Sequence, residues 1–407
     1  MKEKLPVGGI RFAAGSFVIK PFEIHISDEV LRDLTRRLEN TRWTHPVKDT
    51  GWEYGTNISY LKELIAYWQS GYNWRDQERE LNRFDHFRAK IDDYDLHFIH
   101  QKGRGPKPKP ILLLHGWPDS FYRFHKLIPL LTDPVSGKAD PAFCFDVVVP
   151  SLPGFGFTQC PADIPQHQPL RHHASLLFRL MTEILGYDEF VIAGGDGGSP
   201  LAQVMAIDHP GPVSAIYLTD LGWSNSSIDP TSLSHTEKHY LEETKKLFMK
   251  QSAYVMLQST KPQTLAYSLN DSPAGLASWI LDRFYCWCDC RGDLEKSFSK
   301  DELLTNLMIY WVTQTIASSI RSYRMDVKSP SLTAKDYVKV PVGLGLFPKD
   351  VGGIPPRELA ERTLNVQHWT EMPRGGHFTA WEEPELMAAD LAAFFQKTGH
   401  PVKMKNN

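Results

Sequence analysis

The chain has 407 residues and a mass of 46.4 kDa, enough for two or three folding units or for one large core with an insertion. Hydrophobic residues make up 42% of the sequence and charged residues 23%, which excludes a disordered or fibrous protein. The 45 Lys and Arg residues nearly balance the 48 Asp and Glu residues, and the net charge of -3 gives no basic surface for nucleic acid or an anionic membrane. We therefore expect a small molecule as the partner, and neither nucleic acid nor a membrane.

The five cysteines are an odd and sparse set, which argues against a disulfide framework and is typical of a reducing compartment. Cys286, Cys288 and Cys290 stand close together, but their spacing is not that of a zinc site. The longest apolar stretch near the start, residues 10–19, contains Arg11 and is too short to span a membrane, and we recognise no signal peptide. We expect a cytoplasmic protein that needs neither a metal nor a cofactor.

The first part of the chain predicts two amphipathic helices. The segment 27–38 begins with a capping serine and early acids and then places its apolar residues on one face, and the segment 60–68 repeats the helical spacing. Short apolar runs bounded by turn residues follow, each suited to a strand that is buried on both faces. These runs are residues 96–99, 111–114, 147–149, 190–193, 215–218 and 342–344.

Helical patterns separate several of these strands, for example at residues 176–185 and 201–207. Strands that alternate with helices predict a mostly parallel central sheet with helices on both faces. Between Trp223 and about Lys339 the strand signal disappears and helical patterns such as 301–322 replace it. We interpret this gap as a helical lid, inserted after the sixth strand, that folds over the carboxyl ends of the strands, where open α/β sheets bind ligands.

These patterns divide the chain into four parts. We expect an N-terminal helical extension at residues 1–85, a first part of the core at 86–223, the lid at 224–339 and a second part of the core at 340–407.

The sharpest motif is the segment 191–199, in which a buried strand runs into a turn with two glycines on either side of Asp196. This is the layout of a nucleophile elbow, with Asp at the centre instead of Ser. Glycines allow the chain to turn tightly around a strained central residue. A phosphate-binding loop is the rival interpretation, but the segment has neither the Lys-Ser/Thr pair of a Walker loop nor the GxGxxG pattern.

Two further segments supply partners for this aspartate. His115-Gly116-Trp117-Pro118 follows the strand at 111–114, and the N–H of Trp117 is expected to form an oxyanion hole with the N–H of Gly197. We interpret His115 itself as a residue that stabilises the turn. His377, within Arg374-Gly375-Gly376-His377-Phe378, is the expected general base because nucleophile, acid and histidine follow one another in this order along the chain.

The acid that orients His377 has two candidates. Asp350 follows the strand at 342–346, and Asp220 follows the strand at 215–218. We favour Asp350, because this acid should follow a late strand, while Asp220 occupies the other position from which an acid could reach the histidine.

An aspartate at an elbow favours attack on a saturated carbon, where a carboxylate displaces a leaving group and leaves an alkyl ester on the enzyme. Water activated by His377 can then cleave this ester at its carboxyl carbon, with the oxyanion hole stabilising the tetrahedral intermediate. If the leaving group is the oxygen of an epoxide, an acid must donate a proton to the alkoxide that forms. A tyrosine can donate this proton and still be protonated at neutral pH.

In combination these motifs resemble the epoxide hydrolases of the α/β-hydrolase fold, in particular the microsomal type and its soluble fungal relatives. The resemblance extends from residues 21–25 to Phe394 and includes residues 115–118, 194–198, 269–273 and 374–378. It implies the α/β-hydrolase fold and the hydrolysis of an epoxide by water to a vicinal diol, through an ester on Asp196. We expect no N-terminal anchor of the kind that the membrane-bound members have.

The resemblance also implies roles for single residues. Tyr254 and Tyr323, both in the predicted lid, match the two tyrosines that activate the ring oxygen in this family, and Trp117 and Phe378 match substrate-contacting positions. At position 350 the chain has Asp, as the soluble fungal members do, whereas the animal microsomal enzymes have Glu there. Soluble relatives form dimers, so a homodimer is expected.

Two alternatives come from other classes of protein. A haloalkane dehalogenase uses the same Asp chemistry on the same fold, but such enzymes place Trp after the nucleophile, where this chain has Gly197. A binding protein that keeps the scaffold without turnover is the other alternative, since a fold alone does not determine function. The presence of Asp196, Asp350 and His377 together argues against it.

Overall fold

A computed structural model describes residues 18–45, 47–133, 143–161, 170–222, 228–328, 332–333 and 335–398 of the chain. Within these residues, nine strands form one sheet. The strands are β1 (Ile19–Pro21), β2 (His86–Ile91), β3 (Tyr94–Gln101), β4 (Lys109–Leu114), β5 (Phe145–Pro150), β6 (Phe190–Gly194), β7 (Val213–Leu218), β8 (Val338–Leu346) and β9 (Leu364–Glu371).

The helices of the described residues fall into two groups, those around the sheet and those of the insertion. Around the sheet are α1 (Asp28–Glu39), α2 (Ile58–Ser70), α3 (Trp74–Leu81), α4 (Leu127–Thr132), α5 (Leu170–Arg179), α6 (Gly198–Asp208), α13 (Arg357–Glu361), α14 (Thr379–Glu382) and α15 (Pro384–Thr398). The insertion contains α7 (His235–Gln251), α8 (Ala253–Thr260), α9 (Pro262–Asp271), α10 (Pro273–Trp287), α11 (Lys300–Thr313) and α12 (Ile316–Lys328).

The sheet has the order β1-β2-β3-β5-β4-β6-β7-β8-β9. The first three pairings in this order are antiparallel and the other five, from β5 to β9, are parallel. Helix α6 packs against β4, β6, β7 and β8, while α4 packs against β5, α15 packs against β7 and β8, and α4 and α15 pack on one another. This arrangement confirms the predicted α/β-hydrolase fold.

Apolar residues explain why the parallel strands occupy the centre. Every residue of β5 and β6 is buried, as expected for strands that are covered on both faces. At the start of the chain, the side chain of Ser27 accepts a hydrogen bond from the N–H of Val30 and caps α1, as the sequence predicts. Asn57 caps α2 in the same way, through the N–H groups of Ser59 and Tyr60.

The structure corrects three details of the prediction. The sequence pattern did not predict β1 and β2, which pair with one another at the antiparallel edge of the sheet. The predicted helix at 301–322 is two helices, because Gln314 adopts a left-handed conformation with a φ of 55° and ends α11. The predicted helix at 176–185 lies partly in α5 and continues as a short π-helix at Leu180–Ile184.

The helical insertion lies between β7 and β8, so it follows the seventh strand of the chain, or the sixth when the three-residue β1 is left out. Trp223, which marks the predicted start of the lid, is outside the described residues. No helix in the described ranges combines the length and the apolar composition that crossing a bilayer requires. The part boundaries at residues 85, 223 and 339, the homodimer and the cytoplasmic location stay predictions.

Candidate active site

The candidate site lies at the carboxyl ends of the parallel strands. Strand β4 has β5 on one side and β6 on the other, so the connections that leave β4 and β6 border the crevice in which open α/β sheets bind ligands. A cavity of about 310 Å³ lies there, and Asp196, Asp220, Asp350 and His377 are among its lining residues. The fold thus brings together polar residues that follow β6, β7, β8 and β9.

Asp196 occupies the centre of a sharp turn between β6 and α6. Its φ is 54°, a left-handed conformation that is strained for a residue with a side chain. The carboxylate of Asp220 accepts the N–H of Asp196 at 2.7 Å and so supports this turn. The turn also needs Gly198, because a Cβ there would lie 2.2 Å from the carbonyl oxygen of Leu114 in β4.

The two oxygens of the Asp196 carboxylate have different partners. Oδ1 accepts the backbone N–H of Trp117 at 2.9 Å and that of Gly197 at 2.6 Å. These are the two N–H groups that the sequence predicts for the oxyanion hole, and in the resting site both point to a single oxygen of the aspartate itself. The other oxygen, Oδ2, lies 3.1 Å from Nε2 of His377.

Of the two candidate acids, Asp350 is the one hydrogen-bonded to the histidine. Its Oδ1 lies 2.6 Å from Nδ1 of His377 and also accepts the N–H of Val351 at 2.6 Å. Asp220 instead accepts the N–H groups of Asp196 and Gly222. Its contacts are with the backbone of the elbow and of its own loop after β7, so the structure separates the places of the two acids.

Burial and charge act in opposite directions on these groups. Burial alone would lower the pKa of His377, but the carboxylates of Asp350 and Asp196 outweigh it and raise the pKa well above its usual range. Burial alone would raise the pKa of Asp196, but the hydrogen bond and charge of His377 hold it below its usual range. The resting pair is therefore a carboxylate beside an imidazolium. Burial and the charge of Asp350 raise the pKa of Asp220 to about 6.

The two predicted tyrosines come from the insertion and meet above Asp196. Tyr254 in α8 and Tyr323 in α12 have ring centroids 5.8 Å apart. The Trp117 ring stacks on Tyr254 at 5.5 Å and packs edge-to-face on Tyr323 at 5.8 Å. Burial, together with the charge of Asp196, raises the pKa of both hydroxyls above the usual range of tyrosine, so both are protonated at neutral pH.

The structure places Phe378 differently from the prediction of a substrate contact. Its side chain is fully buried and stacks on Phe284 with ring centroids 4.0 Å apart. It is not among the residues that line the cavity, and neither are Trp117, the other predicted substrate contact, and Tyr323. His115 is also buried: its Nδ1 lies 3.0 Å from the carbonyl oxygen of Gly116, and its Nε2 accepts the N–H of Leu152.

Sequence reasoning missed Glu382, which holds the histidine loop. Its carboxylate accepts the N–H groups of Phe378 at 2.9 Å and Gly376 at 3.2 Å, and that of Asp289 in the insertion at 2.7 Å. Burial raises the pKa of Glu382 to about 7. The residue stands five positions after His377 in an acidic stretch, and only its hydrogen bonds to backbone N–H groups distinguish it from the neighbouring acid Glu383.

The cavity wall contributed by α7 was also missed, since no motif marks it. Its cavity-lining residues are Tyr240, Leu241, Thr244, Leu247, Phe248 and Gln251.

Comparison with known proteins agrees with this geometry. A family model described as the epoxide hydrolase N terminus matches residues 19–124, and one described as the alpha/beta hydrolase fold matches residues 109–253. Epoxide hydrolase 1 of Sus scrofa is 38% identical to the chain in a match that covers 94% of the chain and 89% of the relative. The chain belongs to the epoxide hydrolase family.

Two solved epoxide hydrolases have the same fold over nearly their whole length. The enzyme of Aspergillus niger is 28% identical and superimposes with a TM-score of 0.81, covering 93% of this chain and 96% of that one. The juvenile hormone epoxide hydrolase of Bombyx mori is 27% identical with a TM-score of 0.83, covering 93% and 94%. These findings confirm the predicted family and enzyme class, and they give no support to the dehalogenase alternative.

The close approach of Gly116 to Asp196 leads to a prediction. A Cβ at position 116 would lie 2.0 Å from Oδ1 of Asp196 and would displace the carboxylate from its two N–H donors. We expect Gly116→Ala to lower kcat/KM for a terminal epoxide by about 100-fold or more, measured by steady-state kinetics. Gly211→Ala is the matched control, since nothing lies within 4 Å of a Cβ there. Unchanged kinetics of Gly116→Ala would contradict the prediction.

Proposed function

We propose that this epoxide hydrolase opens its substrate in two steps, through an alkyl ester on Asp196, and releases a vicinal diol. The observation that carries the proposal is the unequal environment of the two carboxylate oxygens. Oδ1 accepts two backbone N–H groups, whereas Oδ2 faces the imidazole of His377. One oxygen is thus held where an oxyanion needs stabilisation, and the other is left to form a bond.

In the first step, Oδ2 of Asp196 attacks a ring carbon and the C–O bond to the ring oxygen breaks. The leaving oxygen develops the charge of an alkoxide, which is a much stronger base than a phenolate. Tyr254 and Tyr323 donate hydrogen bonds to it, and one of them supplies the proton. Because burial raises the pKa of both hydroxyls, neither loses its proton before the alkoxide develops.

Alkylation then changes the charge beside the histidine. The ester no longer carries the negative charge of Asp196, which is one of the groups that raise the pKa of His377. The pKa of the imidazole therefore falls after the first step, and the imidazolium gives up its proton, which restores the phenol that acted as acid. The neutral imidazole, still oriented by Asp350, can accept a proton from water.

In the second step, this water attacks the carboxyl carbon of the ester. Oδ1 becomes the oxyanion and already lies between the N–H groups of Trp117 and Gly197. When the intermediate collapses, Oδ2 leaves with the diol and takes up the second proton of the attacking water, while the oxygen of that water stays in the Asp196 carboxylate and His377 holds the first proton. The water supplies both hydrogens that the epoxide gains, so the reaction needs no cofactor.

The cavity supports an apolar epoxide of modest size as substrate. Its volume of about 310 Å³ lies at the lower end of the range for ligand pockets. Opposite the catalytic groups, α7 contributes Leu241, Leu247 and Phe248 to the wall, and Leu346 and Phe347 add apolar surface from the end of β8. These side chains offer contacts to a hydrocarbon substituent of the ring.

The ester intermediate can be tested by stopping the second step. We expect His377→Gln to accumulate an ester on Asp196, because attack on carbon does not need the base, and to lower turnover by a factor on the order of 10³ or more. Mass spectrometry of the quenched protein should show the added mass of one epoxide on the peptide that contains Asp196. Asp196→Ala is the control without a nucleophile. A single turnover of the unmodified enzyme in heavy-oxygen water should place the label in Asp196, and label in the diol alone would falsify the mechanism.

The two tyrosines can be tested by their hydroxyl groups. Tyr254→Phe and Tyr323→Phe should each slow ester formation by roughly ten- to a hundred-fold, since one hydroxyl is left to donate, and the double variant should form almost no ester. Rapid-quench measurement of the alkylation rate checks this. Tyr67→Phe is the control, because its hydroxyl bonds Asp301 and lies outside the cavity lining. A double variant with the full alkylation rate would rule out tyrosine as the acid.

The places of the two acids predict different effects. Asp350→Asn should slow ester hydrolysis by a factor on the order of 10³–10⁴, because it removes the carboxylate that orients the imidazole. It also removes a charge that raises the pKa of His377, so the remaining activity should extend to lower pH. Asp220→Asn should change hydrolysis less than about tenfold. Single-turnover rates against pH compare the two, and a larger loss in Asp220→Asn would reverse the assignment.

A further inference from the structure

A second pair of buried charges lies beneath the active site. Asp119 and Arg123, in the segment after β4, are each only 1% exposed. Nη1 of Arg123 is bonded to Oδ2 of Asp119. Neither residue lines the cavity, and neither takes part in the two steps described above.

The remaining bonds of this pair reach both loops of the active site. Nη2 of Arg123 donates to the backbone carbonyl of His377 at 2.6 Å. Oδ1 of Asp119 accepts the N–H of Gly116 at 3.0 Å, one residue before the oxyanion donor Trp117. The pair therefore connects the loop that carries the general base to the loop that holds Oδ1 of Asp196.

Stability alone gives little reason for such a pair. Desolvation of two charges often cancels their attraction, so apolar residues of similar volume in the same place are commonly as stabilising or more so. The guanidinium, however, adds a positive charge to a site in which several carboxylates surround one imidazole. Burial alone would lower the pKa of Arg123, but the charges of Asp119, Asp196 and Asp350 raise it, so its cation is permanent.

We propose that Asp119 and Arg123 are positioning residues for catalysis: they fix the histidine loop against the oxyanion loop, and their charges set the pH at which His377 can act as a base. The proposal rests on the proposed function, since it assigns the pair a role in the hydrolysis of the ester.

The sign of the effect follows from the charges around the imidazole. The titratable and charged groups near it come from every strand end of the site and from α14: Asp196, Asp220, Asp350, Glu382, His115, Asp119 and Arg123. Removing the cation of Arg123 leaves the carboxylates less compensated, which stabilises the imidazolium. Removing the anion of Asp119 has the opposite effect, because Arg123 is then unpaired.

The experiment measures ester hydrolysis in single turnover as a function of pH, with each variant first alkylated by a terminal epoxide. In Arg123→Met, the pH at half-maximal rate should rise by about one pH unit. In Asp119→Asn it should fall by a similar amount, and in the double variant it should return towards that of the unmodified enzyme. Arg123→Lys keeps the cation without the two-pronged geometry, so it should lower the rate at unchanged pH dependence.

Arg75→Gln is the matched control, because it breaks an ion pair with the buried Glu78 in the N-terminal helices, outside the cavity lining. It should leave the pH at half-maximal rate unchanged. Shifts of the same sign in Arg123→Met and Asp119→Asn, or no shift in either, overturn the inference, because a merely structural role changes stability and rate only. If Arg123→Met does not fold, two results test the proposal in its place. The pH at half-maximal rate should fall in Asp119→Asn, and it should be unchanged in Arg123→Lys while the rate is lower. Absence of an ester in the unmodified enzyme defeats the proposed function instead.

Discussion

The active site depends on two backbone N–H groups that hold one oxygen of Asp196. The donors come from different places in the chain, Trp117 after β4 and Gly197 after β6, and they meet because β4 and β6 are parallel neighbours in the sheet. The left-handed turn at Asp196 presents the carboxylate to both. Strain at this residue is offset by the surrounding bonds, among them the one from its own N–H to Asp220. The sheet, the elbow and the oxyanion loop thus form one rigid frame around a single carboxylate.

Electrostatics inside this frame change with the state of the nucleophile. In the resting site an imidazolium lies between the carboxylates of Asp196 and Asp350, and its positive charge stabilises both of them. In the mechanism that we propose, formation of an ester removes one of these charges, so the same histidine changes from a cation into a base at an unchanged pH. The proposed first step would thus prepare the second.

The sequence predicted the parts of the site that follow from strict local rules. The turn around Asp196 was predictable because a Cβ at position 194, 195 or 198 would clash, so these positions need glycine. His377 was predictable because the order of the catalytic residues follows the order of the strands. The choice between Asp350 and Asp220 was open in the sequence, because both follow a strand and only distance separates them. Strands β4 to β8 of the parallel core were found from their apolar runs, whereas β9 has no such run.

Other features have no local signature. In β1 and β2 charged residues stand between the apolar ones, so these strands are recognisable only by their pairing partners. Glutamine is an ordinary helix-forming residue, so the left-handed conformation of Gln314 could not be predicted from the helical pattern of the sequence. Arg123 and Glu382 resemble surface charges in sequence, and their roles depend on burial by elements far away in the chain. The stacking of Phe378 on Phe284 of the insertion has no local signature either, because the two residues lie far apart in the chain.

The insertion is hydrogen-bonded to the loop that carries His377, and this attachment affects how product can leave the cavity. The carbonyl oxygen of Trp287, at the end of α10, accepts the N–H of His377 at 2.8 Å, and Glu382 ties Asp289 to the same loop. The facing wall of the cavity, made by α7 and by Val351, Gly352, Gly353 and Pro355, has no such bond to the histidine loop among the contacts described above. We therefore expect the exit of product to depend on this facing wall, whose side chains have no part in the proposed bond making or breaking.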